Sequence, residues 1–203
     1  MRRELVGAVI GMTGLVLAGC GDDGGGGAVV EETTAAAESG VGSRAVLNDA
    51  EGTEVGTVRF AEVSAGTEVV AEVQGLEPGF YGLHVHTTGL CEPDSSAPGE
   101  PGTTGAFLSA GGHLGGEDAE HPEHAGDLPA LLVTEDGLGF LTTVTDRFSV
   151  QDLVADDDGS AVMIHSDPDN YANVPERYAA DGPDEDTLGT GDAGSRLACG
   201  VVE

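Results

Sequence analysis

The sequence predicts an all-β protein, an antiparallel barrel or sandwich of eight strands with two long functional loops. Two observations predict this class. Apolar residues alternate with polar ones in short segments, and helical spacing of apolar residues is nearly absent. Turns rich in Gly, Asp and Pro separate these segments, as hairpin connections require. Strands joined in this way form antiparallel barrels or sandwiches.

Period-two alternation is clearest in TEVVAEVQG, residues 67–75. Val69, Ala71 and Val73 share one face of that strand, and the residues between them share the other. Similar short strands are predicted near 44–48, 53–63, 79–87, 130–134, 137–146, 160–165 and 195–202.

Two segments, about 87–128 and about 166–194, interrupt the regular strand spacing. Both are rich in Gly, Pro and Asp, and neither has a convincing strand pattern. Loops longer than ~15 residues are uncommon in compact domains and usually carry function or are disordered. We therefore expect the functional residues in these two segments.

The N-terminus has the features of an exported lipoprotein. Two arginines precede an apolar run, Leu5–Ala18, which is shorter than the ~20 residues of a membrane-spanning helix. The run leads into Leu17–Cys20, which resembles a bacterial lipobox, where the signal is cleaved before a cysteine that then carries lipid. We predict a signal peptide over 1–19 and a lipid on Cys20, which would anchor the protein in the cell envelope, outside the cytoplasmic membrane. An uncleaved anchor with an incidental cysteine is the alternative.

Residues 20–42 are rich in Gly, Ala and acids and contain no aromatic side chain. Such a tract cannot bury enough apolar surface to offset its ordering entropy, so we predict a disordered tether. Residues 43–203 remain, and they are enough for a single domain with one substantial core.

The charge balance is strongly acidic: 37 acids face seven arginines, no lysine is present, and the net charge is −30. A polyanion of this kind will not bind nucleic acid or anionic lipid through its field. The membrane is therefore reached only through the lipid on Cys20. Acid runs such as Asp156–Asp158 are interpreted as solvated surface.

With Cys20 lipidated, Cys91 and Cys199 are left as a pair in an oxidising compartment, which favours a disulfide. Two buried free thiols are the alternative. The bond would close a very long loop, for which the chain-entropy model predicts about 4.7 kcal/mol of stabilisation.

All six histidines lie inside the two long segments or at strand ends beside them. His84 and His86, in YGLHVH, are two residues apart, so their side chains point the same way, roughly 7 Å apart along the strand. That spacing suits one metal ion. It also suits an ordinary hydrated strand face.

The segment HLGGEDAEHPEHAGD, residues 113–127, is the densest in possible ligands. His113, His121, His124 and Asp127 make a set of three nitrogens and one oxygen, which suits tetrahedral zinc. The alternative is a polar acidic loop that contains histidines by chance.

His84, His86 and His165 supply three further imidazoles at strand ends, and such sites suit copper as well as zinc. One histidine shared between the two groups would give each of two metals four protein ligands.

Four stretches in fixed order carry a family resemblance: GLHVHTTGLC, SAGGHLGGEDAEHPEHAGDLPALLV, AVMIHSDPDN and TGDAGSRLACGVV. Together they resemble the copper/zinc superoxide dismutases of the bacterial envelope type, over roughly residues 43–203. The resemblance implies an eight-stranded Greek-key β-barrel and an enzyme that converts superoxide to O₂ and H₂O₂.

Carried over position by position, the resemblance implies a role for each candidate ligand. His113 matches the histidine whose deprotonated ring bridges both metals. The copper-only ligands correspond to His84, His86 and His165. The remaining zinc ligands correspond to His121, His124 and Asp127.

The resemblance also implies supporting residues. Cys91 and Cys199 match the family's intrasubunit disulfide. Asp169 falls where the family has a carboxylate that links a zinc ligand to a copper ligand. Arg196 matches the arginine that lines the substrate channel beside copper, and a surface arginine in an ion pair is its alternative.

The implied mechanism is disproportionation: copper(II) oxidises one superoxide to O₂, and copper(I) reduces a second to H₂O₂ with two protons taken up. Zinc is redox-inert and would fix the loop and tune the ring of His113, which is expected to take a proton when the bridge opens. Arg196 would attract and hold the anion. Because the Debye length is ~8 Å at physiological salt, we expect this local field to outweigh the distant surface acids.

The sequence departs from the better-known eukaryotic members in three ways. The zinc loop is shorter between His121 and His124, the second loop carries the insert YANVPERYAADGPDEDT over 171–187, and the N-terminal tether is added. All four candidate zinc ligands are present, so we predict an occupied zinc site. The functional alternatives are a non-catalytic copper-binding or copper-delivery protein on the same fold and a structural β-domain that metals only stabilise.

Overall fold

Residues 42–155 and 157–203 are described by the structure, which is a computed structural model. Strands dominate this part of the chain. Its helical content is one 3₁₀ turn, Leu108–Ala110, and one short α-helix, α1, Glu185–Thr190. The nine strands of the described residues are β1 (Gly42–Asp49), β2 (Glu54–Val63), β3 (Gly66–Gln74), β4 (Gly79–Tyr81), β5 (Leu83–His86), β6 (Leu131–Val133), β7 (Leu138–Thr145), β8 (Ala161–His165) and β9 (Arg196–Val201).

All strand pairs are antiparallel, and they form one sheet in the order β4-β6-β7-β3-β2-β1-β9-β8-β5. The two end strands, β4 and β5, are consecutive in the chain, so the sheet curls into a nearly closed barrel. Neighbours that are not consecutive, such as β3 with β7 and β1 with β9, require connections that cross the ends of the barrel. The predicted all-β antiparallel barrel is confirmed.

The expected strand count of eight becomes nine because Gly82 divides the predicted strand 79–87 into β4 and β5. Before Gly82 the chain pairs with β6, and after it the chain pairs with β8. Gly82 itself donates its N–H to the Asp167 carbonyl and accepts from the His165 N–H, both at 2.9 Å. A Cβ at Gly82 would lie 2.6 Å from the Ala193 Cβ, so only glycine fits this change of partner.

The inner faces of the strands form the barrel core. Strand β3 alternates as the sequence predicts, with Val69, Ala71 and Val73 at most 4% exposed. Phe60 on β2 packs edge-on against Phe148, with ring centroids 6.2 Å apart. Full burial of one such side chain contributes about 1.5–3 kcal/mol, so these inner faces stabilise the barrel that carries the loops.

The two long connections are the ones that the strand spacing predicts. The first joins β5 to β6, and the second joins β8 to β9. Helix α1 in the second is not predicted by the sequence analysis, since its six residues contain a single large apolar side chain. Its local signal is the N-cap: the Asp184 carboxylate accepts from the Thr187 N–H at 2.9 Å, and Gly191 ends the helix with φ 63°.

Cys91 and Cys199 form a disulfide that ties the first long loop to β9. The predicted bond is confirmed, and the alternative of two free thiols is excluded. Cys199 is buried in a small apolar cluster with Phe107 and Met163, so the loop is attached to the barrel by packing as well as by the bond.

The predicted signal peptide 1–19, the lipidated Cys20 and the tether up to residue 41 lie outside the described residues. Strand β1 begins at Gly42, one residue before the predicted start of the domain. Among the described residues, no helix combines the length and the apolar character that crossing a membrane requires.

Candidate metal centre

The six histidines, spread over more than eighty residues of sequence, converge on one buried site. None of them is more than 6% exposed. His84 and His86 lie on β5 and His165 ends β8, and these two strands pair directly. Bridges from His86 to His113 and from His84 to Asp127 bring the first long loop against β5.

One set of four imidazoles has a ring nitrogen from each member within 4.8 Å of the others: His84, His86, His113 and His165. The Nε2 atoms of His86 and His165 are 3.4 Å apart. The ring centroids of His84 and His113 are 4.0 Å apart.

A second set surrounds the Asp127 carboxylate. Oδ1 of Asp127 lies 2.8 Å from His113 Nδ1, and Oδ2 lies 3.0 Å from His121 Nδ1 and 3.2 Å from His124 Nδ1. The Nδ1 atoms of His113 and His124 are 3.3 Å apart. The backbone shapes this set: the His124 N–H donates to Asp127 Oδ2 at 3.0 Å, which closes the short turn between them.

These spacings fit a metal site better than a hydrogen-bond network. Four ligands at about 2.0–2.1 Å from a tetrahedral ion are separated by about 3.3 Å from one another. His84 Nδ1 and His121 Nδ1 are buried without a hydrogen-bond partner, although His121 Nδ1 is 3.0 Å from the Asp127 carboxylate. Proximity without hydrogen-bond alignment is expected of two ligands that share an ion, and a buried ring nitrogen with no partner would otherwise be costly.

Asp169 joins the two sets. Its fully buried carboxylate accepts from His84 Nε2 through Oδ2 and from His121 Nε2 through Oδ1, both at 2.8 Å. A proton on each Nε2 leaves Nδ1 as the free lone pair of each ring. His84 Nδ1 and His121 Nδ1 are the two buried nitrogens without a hydrogen-bond partner. Asp169 therefore fixes both rings in the tautomer whose Nδ1 can bind a metal. The resemblance implies a linking carboxylate at this position, and Asp169 contacts one histidine from each set.

Backbone carbonyls orient the rings of His86 and His165 in the same way. His86 Nδ1 contacts the Gly111 carbonyl at 2.9 Å, and His165 Nδ1 contacts the Gly194 carbonyl at 3.4 Å. Donation from Nδ1 turns the Nε2 lone pair of each ring toward the other members of the first set.

The family model described as "Copper/zinc superoxide dismutase (SODC)" matches residues 54–202. The chain belongs to the copper/zinc superoxide dismutase family. A superoxide dismutase [Cu-Zn] of Mycolicibacterium paratuberculosis is 44% identical over 164 residues, which cover 77% of this chain and 71% of that protein. One of Escherichia coli (strain K12) is 34% identical and covers 78% and 84%.

Solved structures agree with this assignment. The Cu/Zn superoxide dismutase from Brucella abortus has a TM-score of 0.60 and 31% identity, covering 80% of this chain and all of that one. A SOD-like protein from Bacillus subtilis has a TM-score of 0.57 and 27% identity, covering 78% and 96%. The predicted family is confirmed, and with it the enzyme class and the pair of copper and zinc as cofactors.

In this member of the superoxide dismutase family, three rings of the first set have lowered pKa values, which favour their neutral form. Burial lowers the pKa of His113 to about 4 and that of His165 to about 3, and neighbouring histidines add to the effect. Burial, with His113 and Arg196 nearby, lowers the pKa of His86 well below its ordinary value. Neutral rings keep the lone pairs that a metal ion requires.

The carboxylates of Asp127 and Asp169 favour a positive charge on the second set. Burial alone would lower the pKa of His121, but the nearby carboxylates of Asp127 and Asp169 outweigh it and raise the pKa to about 9. Burial works against ionisation of Asp127 and Asp169, yet their histidine partners hold both pKa values below the ordinary range. A cation is therefore stabilised at this point of the site.

Arg196, the first residue of β9, lies at the edge of the first set. Its guanidinium donates to the Phe107 carbonyl at 2.6 Å and to the Gly111 carbonyl at 2.5 Å. The Gly111 carbonyl also contacts His86, so Arg196 and a ring of the first set share one anchor. No ion pair to Arg196 is present among the described residues, which contradicts the alternative of a surface arginine in an ion pair.

Arg196 opens into a cleft that also reaches His113 and His124. Four exposed acids line the same cleft: Glu100, Glu117, Glu120 and Glu185. The sequence analysis treated such acids as general solvated surface. Their place around the cleft depends on how the two long loops fold against each other.

Two further contacts to the histidine loop have no signal in the sequence. Arg147, which follows β7, donates to the carbonyls of Pro122 and His124 at 2.8 and 3.1 Å. The ring of Tyr171 stacks on His121, with centroids 6.5 Å apart and an interplanar angle of 18°. Both residues act across the fold, so local spacing cannot reveal them.

Proposed function

We propose that this protein is a superoxide dismutase exported from the cytoplasm, with one copper and one zinc joined through His113. The observation that supports this most is the position of His113, whose ring lies in both ligand sets. The proposed copper ligands are His84, His86, His113 and His165. The proposed zinc ligands are His113, His121, His124 and Asp127.

Either His84 or His124 could be the fourth zinc ligand. His113, His121 and Asp127 have ligand atoms within 4.8 Å of one another and of His84, and this group of four does not include His124. We assign zinc to His124 because its Nδ1 lies 3.2–3.3 Å from two other proposed zinc ligands. The Nε2 of His84 is engaged by Asp169, and its Nδ1 belongs with the copper set.

When bound, copper supplies the alternating one-electron transfers that turn two superoxide ions and two protons into O₂ and H₂O₂, and zinc remains redox-inert. The protein's part is to hold the ligands, to admit a small anion and to deliver protons. His113 can hold a proton on the nitrogen that faces the copper set. The burial of His84 and His86 keeps bulk water away from their rings.

Arg196 supplies the fixed positive charge for the substrate. Its two carbonyl contacts hold the guanidinium at the edge of the copper set, and burial keeps it only lightly screened. The four cleft glutamates are exposed and therefore more strongly screened. We expect attraction by Arg196 to dominate, so that added salt slows the reaction. A rate that rises with salt would mean that the acids dominate.

The decisive experiment is metal analysis and a superoxide assay on the protein lacking residues 1–20. The proposal predicts one copper and one zinc per chain and a dismutase rate that depends on copper. A protein that binds copper but does not consume superoxide would instead support the copper-delivery alternative.

We also infer that the chain is lipid-anchored in the cell envelope through Cys20, on the strength of the LAGC segment and the short apolar run before it. The test is detergent phase partitioning of the full-length protein and of Cys20→Ala. The native protein should enter the detergent phase and the variant the aqueous phase. Equal partitioning would contradict lipidation.

A further inference from the structure

The insert of the second long loop, residues 171–187, provides no metal ligand to either proposed set. Its two ends nevertheless lie beside the proposed zinc ligands, which form the zinc half of the centre; the proposed copper ligands form the copper half. One end is Tyr171, which directly follows Asp169 and Asn170. The other end runs into helix α1, which continues past the insert to Thr190.

Tyr171 contacts the site through three separate groups. Its ring stacks on the His121 ring, its backbone N–H donates to Asp169 Oδ1 at 2.7 Å, and its hydroxyl accepts from the Ala130 N–H at 2.8 Å. Tyr171 is 40% exposed as a residue, whereas His121 beneath its ring is buried. Tyr171 therefore lies between the buried pair His121–Asp169 and water.

The backbone at this point is held in a conformation that side chains disfavour. Tyr171 has φ 56° and Ala172 has φ 51°, both in the left-handed region. Such residues persist where the surroundings determine them. Here the Asp169 carboxylate holds the Tyr171 N–H and the Asn170 side chain holds the Ala172 N–H. The conformation keeps the Tyr171 ring over His121.

Helix α1, at the other end of the insert, contacts the backbone of the same histidine. The His121 N–H donates to the Leu188 carbonyl in α1 at 2.7 Å. Gly191 passes so close that a side chain there would collide with the Asp169 carboxylate and the His121 ring. Asn170 connects the two ends, since its N–H donates to the Gly191 carbonyl at 2.8 Å.

We propose that Tyr171 is a positioning residue that holds His121 and Asp169 in place and slows the release of zinc. The proposal rests on the zinc set given above, in which His121 is a ligand. It gives the insert a role. Tyr171 at one end and Leu188 just beyond the other end both contact His121, and we call this pair of contacts the clasp. The copper half is held instead by paired strands. Partners that orient metal-binding histidines commonly change metal affinity by about 10- to 100-fold when removed.

The test is the rate of zinc release from the copper- and zinc-loaded protein into an excess of a chromogenic chelator. Tyr171→Ala should release zinc about 10-fold faster than the native protein. Tyr171→Phe keeps the stacked ring and should stay within about threefold of the native rate. Copper content, measured on the same samples, should not change in either variant.

Tyr178→Ala is the matched control, because Tyr178 belongs to the same insert but is 77% exposed and packs on Arg177 instead of the site. It should release zinc at the native rate. Equal release from Tyr171→Ala and Tyr178→Ala would overturn the clasp and leave the proposed ligands untouched. His121→Ala that still holds zinc at native strength would overturn the ligand set and the clasp together.

Discussion

The copper half and the zinc half of the centre are supported by different parts of the molecule. The proposed copper-only ligands lie on β5 and β8, whose backbones pair residue by residue. The proposed zinc-only ligands lie in a loop, where single contacts from Asp169, Arg147 and Leu188 hold them. The barrel therefore preorganises the copper half, whereas the zinc half depends on a few long-range contacts.

His113→Ala should have the largest effect, because it removes the ring that both halves share. We expect the dismutase rate to fall by about 100-fold or more, as for loss of a group in direct contact with the reacting centre. Zinc content should fall with it. The comparison variant His124→Ala should lose zinc but keep copper, and equal loss of copper in both variants would contradict the two-half description.

Asp169→Asn tests whether the zinc half loses more metal affinity than the copper half when a shared partner is changed. An amide has one acceptor oxygen, so either His84 or His121 loses its partner. We expect zinc affinity to drop by about 10- to 100-fold and copper affinity by less, since β5 still holds His84. Competition titrations for each metal measure both numbers, with the exposed Asp167→Asn as control. A larger loss on the copper side would reverse the comparison.

Arg196→Ala separates substrate attraction from metal binding. The rate should fall on the order of 10-fold, because the positive charge of Arg196 beside the copper set is lost. Both metals should stay bound, as measured on the same samples. Arg59→Ala removes an equal charge from an exposed ion pair with Glu72 and should leave the rate unchanged. If Arg196→Ala keeps the native rate, Arg196 does not attract the substrate.

Acid should destabilise the metal-free protein. In the folded state His113 and His165 have pKa values of about 4 and about 3, below the ordinary 6.5. Between pH 6.5 and about pH 3 the unfolded chain therefore binds more protons at these two residues than the folded protein does. Their stabilising contribution is present above pH 6.5 and is lost as the pH falls toward 3. His121, with its pKa raised to about 9, has the opposite effect: its stabilising contribution is fully present below pH 6.5 and is lost as the pH rises toward 9, so it does not change between pH 6.5 and pH 4.

The measurement is the melting temperature of the metal-free and the metal-loaded protein from pH 7 to pH 4. The metal-free protein should melt at progressively lower temperature, by an amount equivalent to a few kcal/mol. Bound metals compete with protons for the same nitrogens, so the loaded protein should change less. Parallel curves for the two forms would contradict this account.

The double variant Glu117→Gln/Glu120→Gln should have the smallest effect. Removing two carboxylates from the cleft should raise the rate about twofold at low salt, and near 1 M salt, where the Debye length is ~3 Å, the gain should vanish. Glu51→Gln/Glu54→Gln makes the same change of charge on the β1–β2 hairpin and should have no effect. An equal gain in both pairs would mean that only net charge matters.

Much of this centre could be predicted from local sequence. All seven proposed ligands, the disulfide and the two long loops are visible as residue types and spacings, because metal ligation and strand alternation depend on short intervals. The division of one predicted strand at Gly82 is not visible, since an apolar run continues through it. The change of pairing partner there is a property of the closing barrel.

Local spacing by itself indicated which side chains of this chain are candidate metal ligands, and the order of its motifs determined the family. Only the tertiary structure decided which ring nitrogens are engaged by hydrogen bonds and which remain free to bind a metal, which acids line the cleft and which residues cover His121. Ring tautomers follow from partners such as Asp169, Gly111 and Gly194, which lie 25 to 85 residues away in the sequence. Contacts over such distances depend on the folded path of the chain, and no short sequence interval records them.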